Sequence, residues 1–183
     1  MTRPGASCIW GLVIGSMIEA LGAVLLMAGA PSVASRPAEA PKPVAAAEAD
    51  FARLAALVGE WRNAQNPQST LRIRFALTAG GTVLQESWFR GETLHSLTLY
   101  HRDGAKLVLT HYCPQGNQPT LVQSDTAAAL AFTFRSATDL DAAQESYLHD
   151  LSFDLTNPDR PVRRETYRSA DGDEASVLVL ERI

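Results

Sequence analysis

Hydrophobic and polar positions fall into two rhythms along the chain. After Asp50, a residue type suited to cap a helix N-terminus, Phe51, Leu54, Leu57 and Val58 recur at the spacing of one helical face. This predicts a short helix over Phe51–Val58, ended by Gly59. Beyond Trp61 the period becomes two. Leu71-Arg72-Ile73-Arg74-Phe75-Ala76-Leu77 alternates apolar and polar residues, as a half-buried strand does. Strands of the same kind are predicted at Thr82–Arg90, Thr93–Arg102, Ala105–Cys113, Thr120–Ser124, Leu130–Arg135, Tyr147–Leu155, Val162–Ser169 and Ala175–Ile183. Turn chemistry separates them: Gly80-Gly81, Gly91-Glu92, Asp103-Gly104, a Pro114–Pro119 loop, Asn157-Pro158-Asp159 and Ala170-Asp171-Gly172-Asp173.

About nine strands joined mainly by short connections exclude a parallel sheet, whose crossovers need roughly a dozen residues or more. The expectation is a mainly β domain: one antiparallel up-and-down barrel with the helix at one end. A β-sandwich is the alternative.

The N-terminal part follows another pattern. Arg3 precedes a mostly apolar run from Cys8 to Ala30, and Ser32-Val33-Ala34 supplies the small residues of a cleavage site. Residues 1–34 therefore read as a secretory signal segment, with a retained membrane anchor as the alternative. Residues 35–49, rich in Ala and Pro, read as an extended linker, and 50–183 as the barrel domain. The export reading places the domain in the periplasm or outside the cell. Loss of the signal would leave Cys113 as the sole cysteine, so the core would hold without an intrachain disulfide. With sixteen Lys and Arg against twenty Asp and Glu, and no basic run, the chain has no footprint for nucleic acid or anionic lipid.

Phe51-Ala52-Arg53-Leu54-Ala55-Ala56-Leu57-Val58-Gly59-Glu60-Trp61 resembles the opening of lipocalin-like (calycin-type) barrels, where a short helix leads into a Gly-x-Trp at the first strand. The block Leu107–Pro119, with Thr110-His111-Tyr112-Cys113 and Gly116-Asn117-Gln118-Pro119, is similar to a family of uncharacterised exported bacterial barrels. The resemblance implies a cavity for a small molecule. Nitrobindin-like haem barrels are more distant: they carry further glycines after Gly-x-Trp and a late haem-ligating histidine. Here Arg62-Asn63-Ala64-Gln65 follows Trp61, and His149 is the last histidine. No cofactor is expected.

Alternate residues of a strand share a face, so parity sorts the polar side chains. Glu86 lies between Leu84 and Trp88. His111 and Cys113 share a face with Leu107 and Leu109. Tyr147 and His149 share one with Leu151, Phe153 and Leu155. These residues are placed inside the barrel, with Asn117 and Gln118 at its rim. Together Glu86, His111, Cys113, Asn117, Gln118, Tyr147 and His149 form the candidate ligand-binding set. The bland reading makes each a satisfied core polar group. His95 and His101 lie on a strand whose orientation is ambiguous. Arg163-Arg164 reads as a solvated face. No His-x-His, HExxH, CxxC or Gly-x-Ser-x-Gly spacing occurs, so neither a metal nor a catalytic residue is assigned.

Three functions follow. The leading one is an exported, non-catalytic barrel that binds a small, partly apolar molecule. The second is an isomerase or hydrolase with His111 or His149 as general base, oriented by Glu86. The third is a packed, ligand-free interaction module of the cell envelope.

Overall fold

The computed structural model describes residues 44–125 and 130–183. The signal segment and most of the linker lie outside them. One helix, α1 (Val44–Ala55), precedes ten strands: β1 (Gly59–Asn63), β2 (Leu71–Thr78), β3 (Val83–Arg90), β4 (Thr93–Asp103), β5 (Lys106–Tyr112), β6 (Gln118–Gln123), β7 (Leu130–Thr138), β8 (Tyr147–Asp154), β9 (Val162–Ser169) and β10 (Gly172–Arg182). Each strand pairs antiparallel with its sequence neighbours, and β1 also pairs with β10, closing an up-and-down barrel. Among the described residues every strand has a hydrogen-bonded neighbour on each side, the arrangement by which a barrel removes its sheet edges.

The tenth strand is β1. Its five residues carry only Trp61 as a large apolar side chain, too little for period-two alternation to register. The helix also departs from expectation, beginning at Val44 inside the predicted linker. Asp50 is consequently an interior helical residue, and it is buried. Its carboxylate accepts hydrogen bonds from Arg53 and from Gln123 Nε2 on β6 (2.7 Å), while Gln123 Oε1 accepts the Leu107 amide (3.1 Å). This polar tie fixes α1 against the barrel end where Leu54 and Leu57 enter the core.

The inner wall collects Trp61, Ile73, Phe75, Leu84, Tyr100, Leu107, Leu109, Leu121, Phe132, Leu151, Phe153 and Leu180, nearly all without accessible surface. Each aliphatic side chain so buried contributes about 1.5–3 kcal/mol. Outward positions carry Arg72, Arg74, Asp150, Arg164 and Arg168. Apolar inside and polar outside is the reverse of a barrel that faces lipid. Among the described residues no helix is long and apolar enough to cross a membrane.

Three register shifts interrupt the ladder: opposite Trp88/Phe89 on the β3–β4 pair, at Thr120/Leu121 on β6–β7, and between Leu148 and Asp150 on β8–β9. The last one reverses parity along β8. Leu148 joins Leu151 and Phe153 in the core, and His149 falls between them at the shift.

Candidate functional site

Midway along the barrel the apolar lining gives way to a polar layer. Four strands build it, because Glu86, Trp88, Tyr100, Arg163, Glu165 and Ser176 all occupy inner-face positions of β3, β4, β9 and β10. Glu86 Oε1 accepts from Trp88 Nε1 (2.6 Å), and Oε2 accepts from the Tyr100 hydroxyl. Arg163 Nε lies 2.9 Å from Glu86 Oε1, an ion-pair contact without hydrogen-bond alignment. Arg163 Nη1 donates to Glu165 Oε2 (2.5 Å), and Ser176 Oγ donates to Glu165 Oε1 (3.0 Å). The guanidinium sits over the Trp88 ring at 4.8 Å and near that of Phe153 at 6.0 Å. Buried charges need such pairing, since an isolated one would be strongly disfavoured.

Arg163 overturns the solvated-face expectation for Arg163-Arg164. Only Arg164 faces solvent; Arg163 points into the core and keeps 1% of its surface. Burial would ease its proton off, but the charges of Glu86 and Glu165 outweigh that and hold it firmly protonated. Burial likewise would raise Glu165, yet the Arg163 charge and the hydrogen bonds from Arg163 and Ser176 carry it below the usual carboxylate range. Tyr100 is pushed far up by burial and by Glu86, so its hydroxyl stays a donor.

A second group stands next to this layer. His111 Nδ1 is 2.9 Å from Thr98 Oγ1, and its Nε2 is 3.2 Å from the Tyr167 hydroxyl, which approaches from across the barrel. The two rings meet edge-on at 6.3 Å. Burial, then the Arg163 charge, lower the His111 pKa to about 4, so the imidazole is neutral near pH 7. Burial raises Tyr167.

The expected site residues divide into three groups. Glu86 and His111 are inside and buried. Glu86 engages Trp88, Tyr100 and Arg163, and His111 engages Thr98 and Tyr167; Glu86 orients neither histidine, contrary to the general-base arrangement considered from sequence.

Cys113, Asn117 and Gln118 gather at the end opposite α1. Cys113 is half-buried, and burial raises its thiol pKa. The predicted Pro114–Pro119 loop is shorter than expected, because Gln118 and Pro119 already pair in β6. Asn117 is not a rim residue but fully buried, donating from Nδ2 to Glu145 Oε2 (3.0 Å) and the Ser146 carbonyl (3.2 Å). Gln118 bonds Thr138 and Gly116.

Tyr147 and His149 form the third group, apart from the core cluster. The β8 shift removes His149 from the face of Leu151 and Phe153 on which parity had placed it. Its Nδ1 lies 2.8 Å from Asp150 Oδ2 and its Nε2 2.7 Å from Arg168 Nη1, while its ring stacks on Phe134 at 5.7 Å beside Tyr147.

Sequence reasoning missed Arg163, Glu165, Tyr167 and Ser176. Parity along Val162–Ser169 could have found the first three, since Arg163, Glu165 and Tyr167 alternate with Arg164, Thr166 and Arg168. That pattern has almost no apolar residue to mark which face is inner.

Exposure changes sharply within the polar layer. Glu86 and Tyr100 have no accessible surface and Arg163 keeps 1%, whereas the Glu165 side chain keeps 14% and Tyr167 and Trp88 are half-buried. Inner-face side chains are thus covered as far as Arg163 and keep accessible surface from Glu165 onward. A groove of about 550 Å³ on the outer wall is lined by Ala131, Thr133, Asp150, Ser152, Arg164 and Thr166, and Glu165 contributes to it as well. No protein-family model and no curated protein sequence matches the chain.

Proposed function

We propose that this chain is an exported, non-catalytic barrel that binds a small, partly apolar molecule at the end opposite α1, related to the lipocalin-like barrels its Gly-x-Trp opening resembles. The observation that carries the reading is the boundary between Arg163 and Glu165. Below it the interior is filled by side chains and the end is covered by α1. Above it, aromatic surface from Tyr167 and Trp88 adjoins fixed polar groups on Glu165, Ser176 and the His111–Tyr167 pair. Apolar walls with a few oriented polar groups are what small-molecule sites are made of. A non-catalytic role is favoured because both nitrogens of His111 are engaged and Glu86 is committed to Arg163.

The packed-module reading has a specific observation behind it too, the absence of accessible surface on Glu86 and Tyr100. Native mass spectrometry of the full chain, purified without denaturant from its own cells, separates the two. The binding reading expects a retained small mass that is lost from Tyr167→Ala. A bare polypeptide mass, with no binding of small aromatic probes, contradicts it.

A further inference from the structure

The charges around the reachable interior are unequal. The polar layer sets two carboxylates, Glu86 and Glu165, against the single guanidinium of Arg163. Their order in depth matters more than their number. The cation is the covered member, held between Trp88 and Phe153, and the carboxylate of Glu165 is the accessible one. At the rim, Arg90 and Glu174 occupy exposed inner-face positions, one of each sign, and leave the excess unchanged. His111 adds no positive charge near neutral pH.

Asn117 makes a second, independent point. It is fully buried on the inner-face parity of β6 at this same end, beside Cys113. Because Nδ2 faces two acceptors, the amide cannot be turned round, and Oδ1 has no donor among the described residues. A buried carbonyl left so costs about 1–3 kcal/mol. Glu165 and Asn117 both have acceptor capacity to spare, and neither faces an unpaired cation.

We propose that this end of the barrel takes an organic ammonium ion, a protonated amine on an apolar body, with its N–H groups directed to Glu165 and the Tyr167 oxygen. Its apolar body lies along the Tyr167 and Trp88 rings, where a cation is also favoured by the aromatic face. Carboxylates of the same shape are disfavoured, because past the rim pair they would meet the accessible Glu165 before the covered Arg163. The proposal rests on the small-molecule reading above.

The test uses the full chain and three probes matched in shape: 2-phenylethylamine, 2-phenylethanol and 3-phenylpropionate, each titrated by calorimetry at pH 7. The expected order is amine tightest, alcohol weaker and carboxylate unbound, with Glu165→Gln weakening the amine about tenfold, as befits loss of a charged hydrogen bond. A carboxylate that binds as well as the amine overturns the proposal, and so does amine affinity unchanged in Glu165→Gln. Alcohol binding without preference for the amine overturns it too, while leaving the small-molecule reading intact. If none of the three binds, both fall. Should Glu165→Gln fail to fold, judged by circular dichroism, the ranking of the probes on the native chain decides.

Discussion

The guanidinium of Arg182 lies over the indole of Trp61, 4.3 Å from the ring centroid, at directly paired positions of the last and first strands. Arg182 also donates to the carbonyls of Val58 (3.0 Å) and Ala56 (3.1 Å), just past the end of α1, and Trp61 Nε1 donates to the Leu57 carbonyl (2.7 Å). One residue thus joins the closing seam of the barrel to carbonyls that the helix leaves unpaired. Gly59 makes room for it: a Cβ there would lie 2.5 Å from Arg182 Nη1, and its φ of +137° is one that side-chain-bearing residues rarely adopt.

Arg182→Ala should therefore lower stability by about 1–2 kcal/mol, the scale of a cation–π contact with charged hydrogen bonds. Gly59→Ala should also destabilise. The double variant should cost less than the two singles added, because both act through the position of Arg182. Urea denaturation followed by tryptophan fluorescence checks this; strict additivity would mean the two positions act separately.

The buried ion cluster makes a sharper claim about sign. Arg163→Leu leaves Glu86 and Glu165 in the core without their cation, and should cost about 3–5 kcal/mol, the usual penalty for orphaning a buried charge. Adding Glu86→Gln to Arg163→Leu should recover part of that loss, because one unpaired charge goes. Equilibrium unfolding of the three variants measures both. A double variant no more stable than Arg163→Leu would show that Glu86 does not depend on Arg163.

Acid should weaken the fold in two stages. His111 titrates at about 4 in the folded chain against an ordinary 6.5. Between those values the unfolded chain binds the proton and the native one does not, so stability falls as pH falls through that window, by about 3 kcal/mol in all. Glu165, held below its ordinary value of 4.5, adds a further loss only as pH drops beneath it. Melting temperatures from pH 7.5 to 3.5 should show the upper stage in the native chain and not in His111→Gln. An identical slope in both would remove His111 as its source.

The fold was legible because alternation over Leu71–Leu77 and the paired turn residues Asp103-Gly104 are local signals that tertiary packing reinforced. The first strand was not, since Gly59–Asn63 draws its place from pairing with β2 and β10. Parity found Glu86 and His111, whose strands have regular apolar neighbours. It failed at His149, because one extra residue between Leu148 and Asp150 moves a side chain to the other face without leaving a mark in composition. Arg163 gives parity nothing to work with, because its strand has the composition of a solvated surface.

The His149 placement is itself testable. With its ring among Phe134, Tyr147 and Arg168, His149→Ala should reduce stability by about 1 kcal/mol or less, and His111→Ala by more, since it orphans Thr98 and Tyr167 inside the wall. Chemical denaturation of the two variants gives the comparison, and the reverse order would return His149 to the interior.

The central claim is that the space bounded by Glu165 and Tyr167 is the binding site. Titration of the ¹⁵N-labelled full chain with 2-phenylethylamine and 2-phenylethanol, followed by amide chemical shifts, addresses it most directly. The expected result is shifts that cluster at Trp88, His111, Tyr167 and Ser176. Shifts centred on the outer groove at Ala131, Ser152 and Arg164, or no shifts with either probe, would contradict it.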